Sequence, residues 1–303
     1  MITEPYTSTD WASFRSRKRL DSVRDASELF TNKCAITEFD SHYAGIRESR
    51  DNVERQATPV IVGFDVTGKN GYIAKELVTH VINDIVDLVS WRWSNGTLQF
   101  MFAAIGDVKC DNTPLQVTNF RSDIGMYDEL MKLHIEGGGI GDGASYNLLW
   151  YMAGRCVKTD LYEKRGRKGF LFTIGNNRCY PDLSVVEIGK AFGDEAYDSI
   201  PSRELFEQAS EKFNICHINL SDGTPENRSV FKEWREFYPA SATEIKTTDI
   251  IYLPELMGSI ISYVSEGNVQ SIMKSFSPET AVKLARPLGF VINDNRSGGS
   301  VIF

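Results

Sequence analysis

The first candidate site is a short polar stretch that follows an apolar run near residue 60. The run ends at Asp65, and Thr67 follows two residues later. Gly68 and Gly71 then turn the chain before a helical pattern begins. Ligand sites of open α/β sheets lie at the carboxyl ends of strands, so the pattern predicts such a site here. Two different chemistries fit these residues.

One of the two chemistries is phosphate binding. Residues 63–70 read Gly-x-x-x-x-Gly-Lys-Asn, so backbone N–H groups would cradle phosphate and Lys69 would reach the terminal phosphates. Asn70 stands where a Ser or Thr hydroxyl would hold magnesium. On this hypothesis the chain is a nucleotide-binding NTPase or phosphotransferase, and Asp65 and Thr67 have no role.

The other chemistry is a divalent metal site. Mg²⁺ and Mn²⁺ take oxygen ligands, and Mg²⁺ requires near-octahedral geometry and usually keeps several waters. Asp65 and Thr67 would supply part of that shell. Two further polar loops, at residues 137–145 and 175–182, offer the remaining oxygen donors. This hypothesis predicts that three loops meet at one edge of a sheet.

Strand and helix patterns alternate around these loops. Short apolar runs predict buried strands, and apolar residues at helical spacing separate them. A turn-rich loop at residues 106–114 predicts a hairpin, which makes the third strand antiparallel at a sheet edge. We therefore expect an α/β fold, a doubly wound and mainly parallel six-stranded sheet with helices on both faces. The predicted strands are residues 60–64, 98–105, 115–120, 169–174, 214–220 and 244–248.

Length and composition bound the class of protein. The 303 residues, 42% of them hydrophobic, suffice for one large domain. We expect an N-terminal helical extension at 1–57, a domain at 58–266 and a C-terminal tail at 267–303. The net charge of −8 argues against a nucleic-acid binder. Five scattered cysteines indicate free thiols, and the absence of an 18-residue apolar run indicates no membrane segment, which together predict a cytoplasmic protein.

Several of these segments together resemble a von Willebrand factor A domain. The resemblance rests on Asp65-Val66-Thr67, on the glycine-rich residues 136–143 before a helix, and on residues 172–175 at the end of the fourth predicted strand. More narrowly, residues 106–117, 136–139 and 168–175 are similar to the corresponding segments of intracellular bacterial and phage members of that family. The resemblance covers residues 58–265 and implies the strand order 3-2-1-4-5-6.

The resemblance also implies a metal-ion-dependent adhesion site at the top of the sheet. In such a site Mg²⁺ or Mn²⁺ is completed by an acidic residue of a protein partner. Asp107 and Asp111, at the end of the second predicted strand, are candidates to widen the site or to contact a ligand. The ligands implied in this chain are Asp65, Thr67, Asp142 and Ser145.

The chain departs from the family pattern in ways that weaken this site. Lys69 stands where the family has a serine, and Asn176 or Asn177 falls where it has a carboxylate. The metal shell therefore loses a hydroxyl and an anion and gains a nearby ammonium group. We expect a degenerate site, and the alternative is a metal-free site in which Lys69 pairs with Asp65.

Protein binding is the function that the resemblance implies. The prediction is an intracellular adaptor or scaffold that engages a protein partner at the top of the sheet and is not an enzyme. The implied partners are an AAA+ ATPase or a component of a larger assembly, and the terminal extensions would serve docking or homo-oligomerisation. The alternatives are the nucleotide enzyme described above and a metal-free structural subunit of an assembly.

Overall fold

The structure is a computed structural model, and it describes residues 5–68, 70–90, 96–139, 143–267 and 273–297. Its central feature is a sheet of six strands, accompanied by two small two-stranded sheets. The strands of the described ranges are β1 (Arg47–Ser49), β2 (Gln56–Asp65), β3 (Gly96–Ile105), β4 (Leu115–Val117), β5 (Val157–Thr159), β6 (Gly169–Gly175), β7 (Asp182–Leu183), β8 (Ile200–Pro201), β9 (Phe213–Ser221) and β10 (Ala242–Lys246).

The central sheet has the strand order β4-β3-β2-β6-β9-β10. All neighbours are parallel except β3 and β4, which are antiparallel. In chain order this is 3-2-1-4-5-6, which confirms the expected doubly wound sheet and its antiparallel edge strand. The winding direction reverses between β2 and β6, and open α/β sheets bind ligands in the crevice that such a reversal leaves. We call the edge at which the parallel strands end the top edge.

Helices cover both faces of the sheet. The α-helices are α1 (Ser8–Lys18), α2 (Ser41–Ala44), α3 (Gly71–Glu76), α4 (Ile82–Ser90), α5 (Gly125–Leu130), α6 (Tyr146–Tyr151), α7 (Asp160–Arg165), α8 (Val185–Phe192), α9 (Ser202–Ser210), α10 (Pro225–Phe237), α11 (Leu253–Glu266) and α12 (Pro278–Ser297). Single π-helical segments occupy Leu77–Val81 and Met152–Cys156. Short 3₁₀-helices occupy Leu20–Ser22, Ala26–Glu28, Pro239–Ser241 and Thr247–Tyr252.

The two faces of the sheet bury separate hydrophobic clusters. Successive side chains of a strand point to opposite faces, and in β2 Val60, Val62 and Phe64 enter one cluster while Ile61 enters the other. The first cluster lies under α1, α3, α4, α5, α11 and α12. The second lies under α6, α8, α9 and α10. Burial on both faces explains why the strands read as near-continuous apolar runs.

Both terminal segments contribute side chains to the first cluster. In α1, the rings of Trp11 and Phe14 lie 4.8 and 5.2 Å from the ring of Tyr127. In α12, Leu284 and Leu288 are buried in the same cluster. The terminal segments therefore pack against the sheet through apolar side chains.

Two further expectations concern cysteines and membranes. All five cysteines are free thiols in the structure. Within the described ranges, no helix is both long enough and apolar enough to span a bilayer.

Candidate functional site

Asp65 ends β2 at the point where the winding of the sheet reverses. The side chain is fully buried. Its Oδ1 accepts hydrogen bonds from the backbone N–H of Thr67 at 2.8 Å and from the Thr67 hydroxyl at 2.6 Å. The Asp-x-Thr spacing therefore makes a closed local turn, in which the threonine binds the carboxylate with two donors.

The second carboxylate oxygen of Asp65 is held from two other loops. Oδ2 accepts from the Tyr146 hydroxyl at 3.1 Å and from Asn177 Nδ2 at 2.7 Å. The same Asn177 Nδ2 donates to Thr67 Oγ1 at 2.9 Å. Burial raises the pKa of Asp65 above its ordinary value, and the hydrogen bonds from Thr67, Asn177 and Tyr146 oppose that rise. Donors from the loop after β2, the start of α6 and the loop after β6 thus meet at one carboxylate.

The donor set does not fit a divalent cation. A carboxylate offers about four lone-pair positions, and the donors from Thr67, Tyr146 and Asn177 take four. Asn177 places its amide N–H₂ against Asp65 Oδ2 and Thr67 Oγ1, which belong to two residues that would hold a cation. Among the described residues, no group of three His, Cys, Asp or Glu side chains could hold a metal ion. Donors of the chain itself therefore engage both carboxylate oxygens of Asp65. Lys69, which the metal-free alternative pairs with Asp65, lies outside the described residues.

A glycine permits the close approach between these loops. A Cβ atom on Gly175, the last residue of β6, would lie 2.1 Å from the Tyr146 hydroxyl and 2.7 Å from Asp65 Cβ. Both distances are far below van der Waals contact. Any side chain at this position would therefore displace Tyr146 from Asp65.

Asn177 is held in place through its backbone. Trp234 of α10 donates from Nε1 to the Asn177 carbonyl oxygen at 3.1 Å. The neighbouring Asn176 accepts from Asn70 Nδ2 at 2.9 Å, which ties the loop after β6 to the start of α3. The two asparagines that replace the expected carboxylate therefore have different partners, and Asn177 is the one that reaches Asp65.

The remaining predicted site residues lie in a second polar cluster beside the first. Ser145 Oγ accepts from the Val108 N–H at 2.9 Å, and so fastens the loop after β3. Asp107 accepts from the Tyr180 hydroxyl at 3.0 Å, and its own N–H donates to Asp111 at 2.7 Å. Burial raises the pKa of Asp111. The side chains of this cluster bind loop backbone and one another. The other two predicted site residues, Lys69 and Asp142, lie outside the described residues.

Sequence reasoning missed Tyr146, Tyr180 and Trp234. Tyr146 follows directly on the predicted ligand Ser145 at the start of an apolar helix, where its sequence reads as core. Its hydroxyl nevertheless reaches Asp65, 81 positions away in the chain. One signal was available in the sequence. Tyr146 is an aromatic residue with a hydroxyl, and it begins a helix directly after a candidate site residue.

His217 of β9 lies beneath the site and stacks on Trp234, with ring centroids 3.6 Å apart. Its Nδ1 lies 2.9 Å from Thr173 Oγ1, while its buried Nε2 has no partner among the described residues. Burial lowers the pKa of His217 to about 3. Between about pH 3 and pH 6.5 the imidazole is therefore neutral in the folded protein and takes up a proton on unfolding.

We expect His217 to make the protein sensitive to acid. Its folded pKa is below the ordinary value of about 6.5, so its stabilising contribution is complete above that pH and is lost as the pH falls toward 3. The variant His217→Gln cannot titrate. Relative to that variant, the wild type should lose about 2 kcal/mol of unfolding free energy between pH 6.5 and pH 5. Urea unfolding at both pH values measures this, and a pH-independent difference would contradict it.

The fold and the site define a doubly wound α/β domain. Its closed polar site lies at the top edge, where the winding reverses between β2 and β6. The chain matches no protein-family model and no curated protein. Among solved structures it is similar to the pilus adhesin SpaC from Lactobacillus rhamnosus GG in its open conformation, at 8% identity and a TM-score of 0.41, covering 76% of this chain and 31% of that chain. A second crystal form of SpaC gives the same identity and TM-score, with 32% of that chain covered.

A third solved structure is a von Willebrand factor type A protein from Catenulispora acidiphila. It is 12% identical, with a TM-score of 0.34, and the match covers 66% of this chain and 42% of that chain. The match therefore spans less than half the length of each of these three solved structures. The family assignment stays a resemblance carried by the motifs.

Proposed function

We propose that this chain is a protein-binding adaptor or scaffold module that engages a partner at the top edge without using a cation. The observation that carries this proposal is the closed state of the Asp65 site. Donors from Thr67, Tyr146 and Asn177 satisfy the carboxylate within the chain. Such a site ties three loops into one rigid surface, and rigid surfaces lose little entropy on binding.

The loop geometry argues against the nucleotide enzyme. In a phosphate-binding loop, backbone N–H groups must be free to face the phosphates. Here the N–H groups of Val66, Gly68 and Asn70 donate to Ile105, Gly138 and Thr67 carbonyl oxygens, and that of Thr67 donates to Asp65. These four N–H groups therefore donate to acceptors within the chain and do not face a phosphate site.

The exposed residues around the site supply the contact surface. They come from the loops after β2, β3 and β9, from the loop before α6 and from the start of α10. The implied partner remains an AAA+ ATPase or an assembly component. The exposed positions on this surface include Gly68, Lys109, Cys110, Gly137, Gly139, Asp222 and Glu226.

The test is affinity capture with the immobilised chain, in EDTA, in Mg²⁺ and with ATP. Glu226→Arg reverses an exposed charge at the top edge, and Glu54→Arg makes the same change at the opposite edge, before β2. The proposal predicts a partner that is retained equally in EDTA and Mg²⁺, is lost with Glu226→Arg and is kept with Glu54→Arg. Melting temperatures of both variants control for folding.

Three outcomes of this capture would contradict the proposal. Retention of the partner only in Mg²⁺ would support the cation-dependent adhesion site instead. Retention only with ATP, accompanied by ATP turnover, would favour the nucleotide enzyme. Equal loss with both arginine variants would place the contact away from the top edge.

A further inference from the structure

A groove lies between α9, the end of α10 and the loop after β6. Its first cavity has a volume of about 480 Å³. A second cavity of about 410 Å³ shares Arg203, Phe237 and Tyr238 with the first. We call the two together the α9–α10 groove. The aromatic and proline residues of the first cavity are Tyr180, Pro181, Pro201, Trp234, Phe237 and Tyr238.

The first cavity is lined by cations although the whole chain is acidic, with a net charge of −8. Lys109, Arg178 and Arg203 line it, and Glu233 is the single acid among its described lining residues. Arg178 is bound to Glu233 at 2.8 Å, and Arg203 to Glu207 of the second cavity at 3.2 Å. Among the described residues, this leaves Lys109 as the cation of the first cavity without a carboxylate partner. The Lys109 ammonium lies 3.8 Å from the centre of the Tyr180 ring. A cationic rim over an aromatic floor is complementary to a segment that carries acids beside an aromatic side chain.

The same chain exposes a segment of this chemistry between α8 and β8. Residues 193–199 read Gly-Asp-Glu-Ala-Tyr-Asp-Ser, with three acids and no base. Tyr197 is 97% exposed, so its ring does not fill the groove of its own chain. The ends of the loop are fixed, because the Tyr151 hydroxyl donates to Asp194 at 2.6 Å and Leu183 pairs with Ile200. A loop held at both ends loses less entropy on docking than a free peptide.

We propose that the 193–199 loop of one copy docks into the α9–α10 groove of a second copy. Tyr197 covers the aromatic floor, and the loop acids face Lys109 and Arg203. Tyrosine suits this role because it buries a large ring while its hydroxyl stays hydrated or hydrogen-bonded. Loop and groove are different surfaces, so the contact is head-to-tail and builds a ring or an open chain. This self-assembly is a different contact from the top-edge partner contact proposed above; Lys109 borders both surfaces, whereas Arg203 and Tyr197 belong only to this one.

The test measures self-association by sedimentation velocity over a range of protein concentrations. The wild type should associate weakly and in a concentration-dependent way. The loop variant Tyr197→Ser and the groove variant Lys109→Glu/Arg203→Glu should each weaken association by about tenfold or more. The control variant Tyr43→Ser removes another exposed tyrosine ring, one that is 65% exposed, and should associate as the wild type does.

A mixture of the two defective variants gives the sharpest result. The loop variant keeps an intact groove and the groove variant keeps an intact loop, so the mixture should form a one-to-one dimer and nothing larger. A synthetic peptide of residues 193–199 should bind the loop variant but not the groove variant. A monomeric wild type at every concentration, unchanged association of Tyr197→Ser, or no dimer in the mixture would overturn the proposal.

Discussion

Replacing Asp65 with alanine is expected to lower the free energy of unfolding by about 3 kcal/mol. The substitution leaves the Thr67 N–H and hydroxyl, the Tyr146 hydroxyl and the Asn177 amide without their acceptor inside a buried site. Each unsatisfied buried donor is destabilising by about 1 kcal/mol or more, partly offset because a buried charge is removed. Denaturant unfolding with and without EDTA measures the loss.

The expected loss for Asp65→Ala does not depend on metal. Glu226→Ala serves as the matched control, because it removes an exposed carboxylate near the same edge and surface changes are usually within about 0.5 kcal/mol. A loss below about 1 kcal/mol for Asp65→Ala would show that the carboxylate does not hold the three loops together. A loss seen only in Mg²⁺ would show that it acts through a cation.

Replacing Asn177 with aspartate is expected to convert the closed site into a metal-dependent one. The substitution puts a carboxylate where Asn177 Nδ2 now donates to Asp65 Oδ2 at 2.7 Å. Without metal, the two anions repel each other and stability should fall by about 2 to 4 kcal/mol at neutral pH. Two carboxylates and the Thr67 hydroxyl form an oxygen set suited to Mg²⁺ or Mn²⁺. Adding either ion should therefore restore much of the melting temperature.

Asn177→Ala separates the loss of the amide from the gain of a charge. It removes the same hydrogen bonds and creates no second carboxylate, so its melting temperature should not respond to Mg²⁺. In EDTA, the loss of stability of Asn177→Asp relative to the wild type should become smaller near pH 5. Protonation of one of the two carboxylates removes their repulsion. Equal metal responses of the aspartate and alanine variants would contradict this account of the site.

The fold could be predicted in considerable detail because the strands are buried on both faces. In β2, all residues after Gln56 are buried, and such a strand is recognisable as an apolar run without knowledge of its partners. The strand order came from the resemblance, since no local pattern fixes which strands are neighbours. The bounds of β2 were predicted too short, because Ala57, Thr58 and Pro59 do not continue the Val and Ile pattern, although β3 pairs with them.

The site could be predicted only in part. Asp65 and Thr67 were identified because they follow an apolar run, at the carboxyl end of a predicted strand. The role of Asn177 was not predicted, because an asparagine in place of a carboxylate was interpreted as a lost ligand. Its amide acts instead as a donor to two oxygens, which depends on the direction of the side chain. Tyr146 was missed because only the space left by Gly175 allows its hydroxyl to reach Asp65.

Ser145 shows how a predicted ligand can serve the framework instead. It lies in the expected loop before α6, and its hydroxyl accepts from the Val108 N–H. Sequence spacing placed the residue near the top edge, but the geometry of the loop after β3 determined its partner. Predictions from spacing therefore located the loops better than they assigned the contacts.

The most direct test of the closed site is the melting temperature of the wild-type protein in EDTA, in Mg²⁺ and in Mn²⁺. A ligand that binds only the folded state raises the melting temperature as its concentration rises. With the Asp65 carboxylate fully engaged by donors of the chain, we expect the same melting temperature in all three conditions. A rise with either ion in the wild type, abolished by Asp65→Ala, would contradict the account and establish a cation at this site.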